Sequence, residues 1–337
     1  MTQVLSRYNN ILKMEKIEEV YPLARDDMES RRLNAQHLLT VKACDGHLLD
    51  PSIPRHGIRS VADVATDTGI WLTDFANELT TSTSDSTNSP FEFTGFNIST
   101  AQFPKEAKPG FAFVAHDMTT PFPAQYLARY DVVHVRLVFS VIVKEQYPAV
   151  AENLLALLKP GGYIAWTEYQ LDSIHDICPS SILTQFKSIF CKFLESANLS
   201  LKPMKEIRAA LEANKVENIV EHDYVTFRQP DLAVETQAWL KAAFSALIPT
   251  AWVRLGEEKT IEAAAAKWPS YERKMEEAFE EGVVPACPVK SIVARKEGLK
   301  ALEELSAEEM WQVLADGGWC CAVKRDGELG HRWRART

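Results

Sequence analysis

Between residues 58 and 168 the apolar positions cluster in short blocks, separated by stretches whose apolar positions recur at helical spacing. The blocks Ile58–Val64, Phe91–Phe96, Phe111–Ala115, Tyr130–Val135 and Tyr163–Trp166 predict five strands. A helix is expected from about Gly69 to Leu79. A second is expected over 145–158, where Val150, Leu154, Leu155 and Leu158 share one side, ending at a Lys159-Pro160-Gly161-Gly162 break. Such alternation implies right-handed βαβ units and a parallel sheet covered on both faces. Upstream, residues 15–44 carry a helical pattern, with Met28–His37 as an amphipathic helix, and 45–58 read as a loop punctuated by Gly46, Pro51, Pro54 and Gly57. Residues 80–90 are polar and read as a solvated loop. Beyond Gln170 the order changes. Helices are expected over 181–197 and 203–213, a strand over Val216–Phe227, mostly helix over 233–282, a last strand over Pro288–Arg295 and a helix over Ser306–Ala315.

Composition narrows this picture. With 46% apolar and 25% charged residues, the 337-residue chain can build a sizeable core. Its 37 Lys and Arg against 46 Asp and Glu leave a net charge of -9, which argues against nucleic acid as a partner. Six scattered cysteines without a CxxC pair argue against a disulfide scaffold or a zinc ribbon, and no metal site is expected. The first residues lack a signal-peptide core, and no apolar run is long enough to span a bilayer, so a soluble cytoplasmic protein is expected. The basic stretch Lys324–Arg336 reads as a solvated tail. The sequence leaves the oligomeric state open.

In an open α/β sheet, ligands bind beyond the carboxyl ends of the strands. Those ends carry Asp63 to Gly69, then Asn97, Asp117, His134 with Arg136, and Glu168. A dinucleotide fingerprint starting at position 65 fails, because Ala65, Asp67 and Ile70 stand where glycines are needed. No Walker A lysine is present.

The run Val61-Ala62-Asp63-Val64-Ala65-Thr66-Asp67-Thr68-Gly69-Ile70-Trp71 resembles motif I of class I S-adenosylmethionine (SAM) methyltransferases, and its ending resembles that of the fungal LaeA-like group. Gly95-Phe96-Asn97-Ile98-Ser99, His116-Asp117, Tyr130–Arg136 and Leu158–Tyr163 fit the later motifs in order, and Glu29–His37 resembles the group's N-terminal helix. The resemblance covers residues 20–170 well. It implies a Rossmann-like seven-stranded methyltransferase sheet whose last strand is antiparallel, with helical N-terminal and post-sheet cap segments. The chain then divides into an N-terminal helical segment (1–57), a SAM-binding core (58–170), cap helices with the last two strands (171–296) and a C-terminal helix and tail (297–337). The resemblance also places Asp63, Ala65, Thr66, Asp67, Gly69, Asn97, Asp117, Met118 and His134 around the cofactor.

Three positions depart from the pattern. Ala65 replaces the first glycine, a small loss of room. Asp67 replaces the middle glycine, where backbone should approach the ligand. A carboxylate about 5 Å from the ligand's own carboxylate would cost about 3 kcal/mol at an effective dielectric near 20, although the same charge attracts an ammonium or sulfonium. Asp67 also reads as a cap for the following helix. Asn97 replaces the acid expected on the ribose. An amide offers one acceptor oxygen where a carboxylate offers two, so Asn97→Asp is expected to tighten binding; a turn-tolerant asparagine is the alternative.

His134 and Glu168 are the candidate catalytic bases, each with a structural alternative: a satisfied core histidine and a surface carboxylate. His37, Arg136 and Tyr169 are candidate substrate-binding residues. Trp239, Phe244, Trp252, Trp268 and Tyr271 form either core or an aromatic lid. The reading that follows is a SAM-dependent methyltransferase acting on a small molecule in fungal secondary metabolite biosynthesis. A non-methylating cyclase or isomerase on the same fold, motivated by Asp67 and Asn97, and a LaeA-like regulator are the alternatives.

Overall fold

The apolar blocks pair into one seven-stranded sheet. A computed structural model describes residues 26–82, 90–170, 175–176, 180–214, 216–225, 230–286, 288–298, 319–325 and 328–334. Its strands are Ser60–Val64 (β1), Glu92–Asn97 (β2), Phe111–Ala115 (β3), Tyr130–Arg136 (β4), Leu158–Tyr169 (β5), Glu217–Val225 (β6) and Pro288–Arg295 (β7). The spatial order is β3-β2-β1-β4-β5-β7-β6. The first five strands are parallel, and β7 runs antiparallel to both β5 and β6. This is the methyltransferase arrangement of the Rossmann-like sheet.

Successive residues of each strand face opposite layers. Val132, Ala165 and Val293 meet Trp71, Leu72, Phe75 and Leu79 of the helix Ile70–Ser82. Val133, Val135, Ile164 and Trp166 meet Val150, Leu154 and Leu157 of Tyr147–Leu157, with Ile207 and Leu211 of Pro203–Ala213 beyond. We number the helices α1 (Asp27–Ala43), α2 (Ile70–Ser82), α3 (Tyr147–Leu157), α4 (Ser181–Ser196), α5 (Pro203–Ala213), α6 (Ala233–Arg254) and α7 (Ile261–Glu280). A third core joins α4, α6 and α7 through Phe186, Phe190, Phe193, Phe244, Trp252 and Trp268. This helical cap meets α1, which also touches α2.

Several expectations change in detail. The Lys159–Gly162 break is a continuation of β5: Gly161 takes φ 79°, and the register against β4 slips between Tyr130 and Val132, so pairing resumes at Tyr163. The stretch 233–282 is two helices, interrupted after Leu255 by Gly256 at φ 75°. The basic end is not a frayed tail over its described part, because Trp319–Arg325 and Glu328–Arg334 pair as an antiparallel hairpin. The expected helix 306–315 and most of the polar stretch 80–90 lie outside the described residues. Among the described residues no helix is long and apolar enough to cross a membrane.

Candidate functional site

The strand order reverses between β1 and β4, and the crevice above that switch point opens into a cavity of about 970 Å³. Its floor is built by the ends of β1 to β4, one side by α1, and its roof by α4 and α6.

The loop after β1 starts from Asp63, which is 3% exposed. One carboxylate oxygen accepts from Thr66 Oγ1 at 2.7 Å, and the other accepts from His134 Nδ1 at 2.7 Å. Ala65, Asp67 and Gly69 then take φ values of 61°, 47° and 69°. Only glycine adopts this region freely, so Ala65 holds strain of about 1 kcal/mol or more. A Cβ on Gly69 would lie 2.7 Å from the Phe113 ring, so this glycine answers to packing as well as to φ. Thr68 Oγ1 donates to Asn34 Oδ1 at 2.8 Å and ties the loop to α1.

Asp67 does not cap α2. Its Oδ1 accepts from Asn97 Nδ2 at 3.2 Å, so two of the three residues that depart from the methyltransferase pattern touch each other. Burial, followed by the charges of Glu29 and Asp63, pushes the Asp67 carboxyl up to about 6. At the end of β3, Asp117 Oδ1 accepts from the backbone N–H and hydroxyl of Thr119 at 2.9 and 2.8 Å, which fixes the turn that presents Asp117 and Met118 to the cavity.

On the opposite side, Arg136 Nη2 donates to His37 Nδ1 at 2.8 Å, and His37 Nε2 lies 2.9 Å from Asp74 Oδ2. Burial and the neighbouring Arg136 push His37 down to about 4, so it stays neutral, accepting at Nδ1 and donating from Nε2. Tyr169 lies within hydrogen-bond distance of Thr40 Oγ1 at 3.2 Å, and its ring packs 4.9 Å from Trp239.

The cavity thus brings together Asp63, Ala65, Thr66, Asp67, Asn97, Asp117, Met118, His37, Arg136 and Tyr169. Three expected residues do not line it. Gly69 packs behind the loop against Phe113. His134 is buried with its ring stacked flat on Trp71, 3.5 Å between centroids, and burial lowers its pKa. It supports Asp63 from below and has no face toward the cavity. Glu168 is 0% exposed and accepts from the backbone N–H groups of Val138 and Phe139 and from Trp166 Nε1. Both candidate bases are therefore corrected to supporting residues. Burial pushes Glu168 up to about 7.

Arg32 and Gln36 of α1, the apolar run Leu137–Val143 after β4, and Phe190, Leu240, Ala243 and Leu247 of the cap complete the wall without having been anticipated. The spacing 239, 240, 243, 244, 247 is one helical face, the signal available for the cap side, but that pattern equally describes a buried core. Trp252, Trp268 and Tyr271 do belong to the cap core, whereas Trp239 and Phe244 line the cavity. Among the described residues no group of three or more His, Cys, Asp or Glu side chains is placed to hold a metal.

The chain is similar over 217 residues to methyltransferase grgD of Penicillium sp, at 32% identity, spanning 64% of this chain and 76% of that one. It is 26% identical over 211 residues to N-methyltransferase gliN of Aspergillus fumigatus, spanning 60% and 70% of the two chains. It is 36% identical over 158 residues to N-methyltransferase sirN of Leptosphaeria maculans, spanning 46% and 51%. No family model matches the chain.

Proposed function

The chain belongs to the class I SAM-dependent methyltransferases, and from that premise we propose that it methylates a nitrogen of a small, largely apolar molecule in fungal secondary metabolism. The observation that carries this reading is the division of the cavity wall. Its carboxylates, Asp63, Asp67 and Asp117, stand at or after β1 and β3, while the cap side presents Phe139, Val143, Phe190, Leu240, Phe244 and Leu247. A neutral amine nitrogen, which carries its own lone pair, is an acceptor that such an apolar cap side suits. A hydroxyl acceptor needs a base beside it; neither His134 nor Glu168 reaches the cavity, and both ring nitrogens of His37 are engaged by Arg136 and Asp74. The run Thr68-Gly69-Ile70-Trp71 supports a kinship with LaeA-like proteins within the class.

The residues at the β1–β3 end fit the cofactor by their chemistry: acceptors for a cationic, diol-bearing nucleoside, with Ile98 and Met118 as apolar walls. Asp63, the Ala65–Thr68 loop, Asn97, Asp117 and Met118 would hold it. When bound, SAM supplies a sulfonium methyl that is already activated. The protein's own work is then alignment and exclusion of water. α1 and α6 close the chamber, and Arg136, oriented by His37, offers a guanidinium for an acceptor's carbonyl or carboxylate.

The reading is tested by incubating the protein with methyl-deuterated SAM and matched pairs of small apolar acceptors, a cyclic secondary amine and its hydroxyl counterpart. Label on the nitrogen acceptor alone is expected. Label on the hydroxyl acceptor alone, or product formed equally without SAM, would contradict it.

A further inference from the structure

We propose that Asp67, with Asn97 as its partner, supplies the carboxylate that grips the ribose diol of the cofactor, so that the acid sits in the loop after β1 instead of at the end of β2. The proposal rests on the SAM-binding reading above. Its starting point is the contact between the two departures. Asn97 Nδ2 donates to Asp67 Oδ1 and to Ser99 O, both at 3.2 Å, which uses both hydrogens of the amide nitrogen and fixes the amide's orientation. That leaves Asn97 Oδ1 and Asp67 Oδ2 as acceptors from two adjacent elements, and both residues line the cavity. A vicinal diol brings two O–H donors, and a carboxylate with a neighbouring amide oxygen satisfies both.

The register explains why these residues meet. Asp63 pairs with Gly95, so Val64 pairs with Phe96 and Asn97 follows directly beside the loop that carries Asp67. Asp67 faces Glu29 and Arg32 from α1, Asp63 from β1, Asn97 from β2 and Arg136 from β4. With burial and two neighbouring carboxylates against it, its charge gains from every added donor. The swap also accounts for Asn97. Aspartate at position 97 would set a second carboxylate against Asp67 at the 3.2 Å contact, so Asn97→Asp is now expected to weaken binding, the reverse of what the sequence alone suggests.

Calorimetric titration of the full chain with S-adenosylhomocysteine and with its 2′,3′-dideoxyribose analogue tests this. At about pH 8, Asp67→Asn should weaken S-adenosylhomocysteine about tenfold, while the dideoxy analogue binds wild type and variant within about twofold, which also reports that the variant is folded. Lowering the pH to about 5 should weaken S-adenosylhomocysteine binding to wild type but not to Asp67→Asn, because only wild type has this carboxyl to protonate. Asn97→Asp should bind more weakly than wild type, and the double variant Asp67→Gly/Asn97→Asp should return to within about threefold of it. Equal affinity of Asp67→Asn and wild type for S-adenosylhomocysteine would overturn the proposal. So would an equal loss for both ligands. Failure of wild type to bind S-adenosylhomocysteine at all would overturn this proposal and the cofactor reading together, whereas binding without dependence on Asp67 overturns this one alone.

Discussion

Glu168→Ala is expected to cost the fold about 3–5 kcal/mol, enough to leave much of the protein unfolded near its working temperature. The side chain is 0% exposed and accepts three hydrogen bonds, from Val138 N at 2.9 Å, Phe139 N at 3.3 Å and Trp166 Nε1 at 2.9 Å. Alanine leaves all three donors without this partner, those of Val138 and Trp166 in buried surroundings. The backbone donors belong to the segment that leaves β4 and walls the cavity, so that wall loosens with them. Glu168→Gln keeps one acceptor oxygen and should lose less. The two variants also separate by pH. Burial holds the folded-state pKa near 7, above the unfolded value of 4.5, so the folded protein binds this proton more tightly. Its stabilising contribution is complete below the unfolded value and is lost as pH rises through the folded one. Urea denaturation between about pH 5 and about pH 8 should therefore show wild type losing stability relative to Glu168→Gln as pH rises. A well-folded Glu168→Ala protein that has lost only turnover would restore Glu168 as a catalytic group.

His134→Phe is expected to lower stability by about 2–4 kcal/mol and to leave the turnover of the folded fraction within about tenfold of wild type. Phenylalanine keeps a flat ring on Trp71, where the imidazole stacks at 3.5 Å and 4°. It cannot donate to Asp63 Oδ1, which then keeps a buried charge with one partner fewer, Thr66 Oγ1 still bonding the other oxygen. Removing a true general base would cost about 10²–10⁴ in rate. Denaturation midpoints, read beside rates normalised to folded protein, distinguish the two. A rate loss of that size at unchanged stability would contradict the supporting role.

The two residues also show how far the sequence could be read. That β4 and β5 end at the site was legible from their apolar runs, Tyr130–Val135 and Tyr163–Trp166. Which side chains reach the cavity depended on one-residue differences in where a strand stops and which face a residue takes. β5 was expected to finish at Trp166 but pairs with β7 through Tyr169, so Glu168 stays inside the sheet opposite Lys290. His134 and Arg136 share a face of β4, yet only Arg136 lies far enough along to clear Trp71 and reach His37. Gly69 was placed correctly in the loop, but its demand comes from φ and from Phe113 behind it.

Asp67 and Asn97 are the instructive pair. Taken singly, each weakened the methyltransferase reading and opened the alternative of a non-methylating enzyme. Thirty positions apart in the chain, they are joined by a hydrogen bond that follows from the β1–β2 register, and together they restore a wall of acceptors. The cap side was legible least. Its aromatic residues at helical spacing serve both the cap core and the cavity roof, and only packing against α1 and Tyr169 sorts Trp239 from Trp252.

The measurement that reaches the central claim most directly is a crystal structure of the protein with S-adenosylhomocysteine. Adenine is expected beside Asp117 and Met118, the ribose between Asp67 and Asn97, and the sulfur facing the apolar chamber beneath Phe190 and Phe244. Ligand found in another orientation or elsewhere on the molecule, or an empty cavity in crystals grown at saturating ligand, would contradict it.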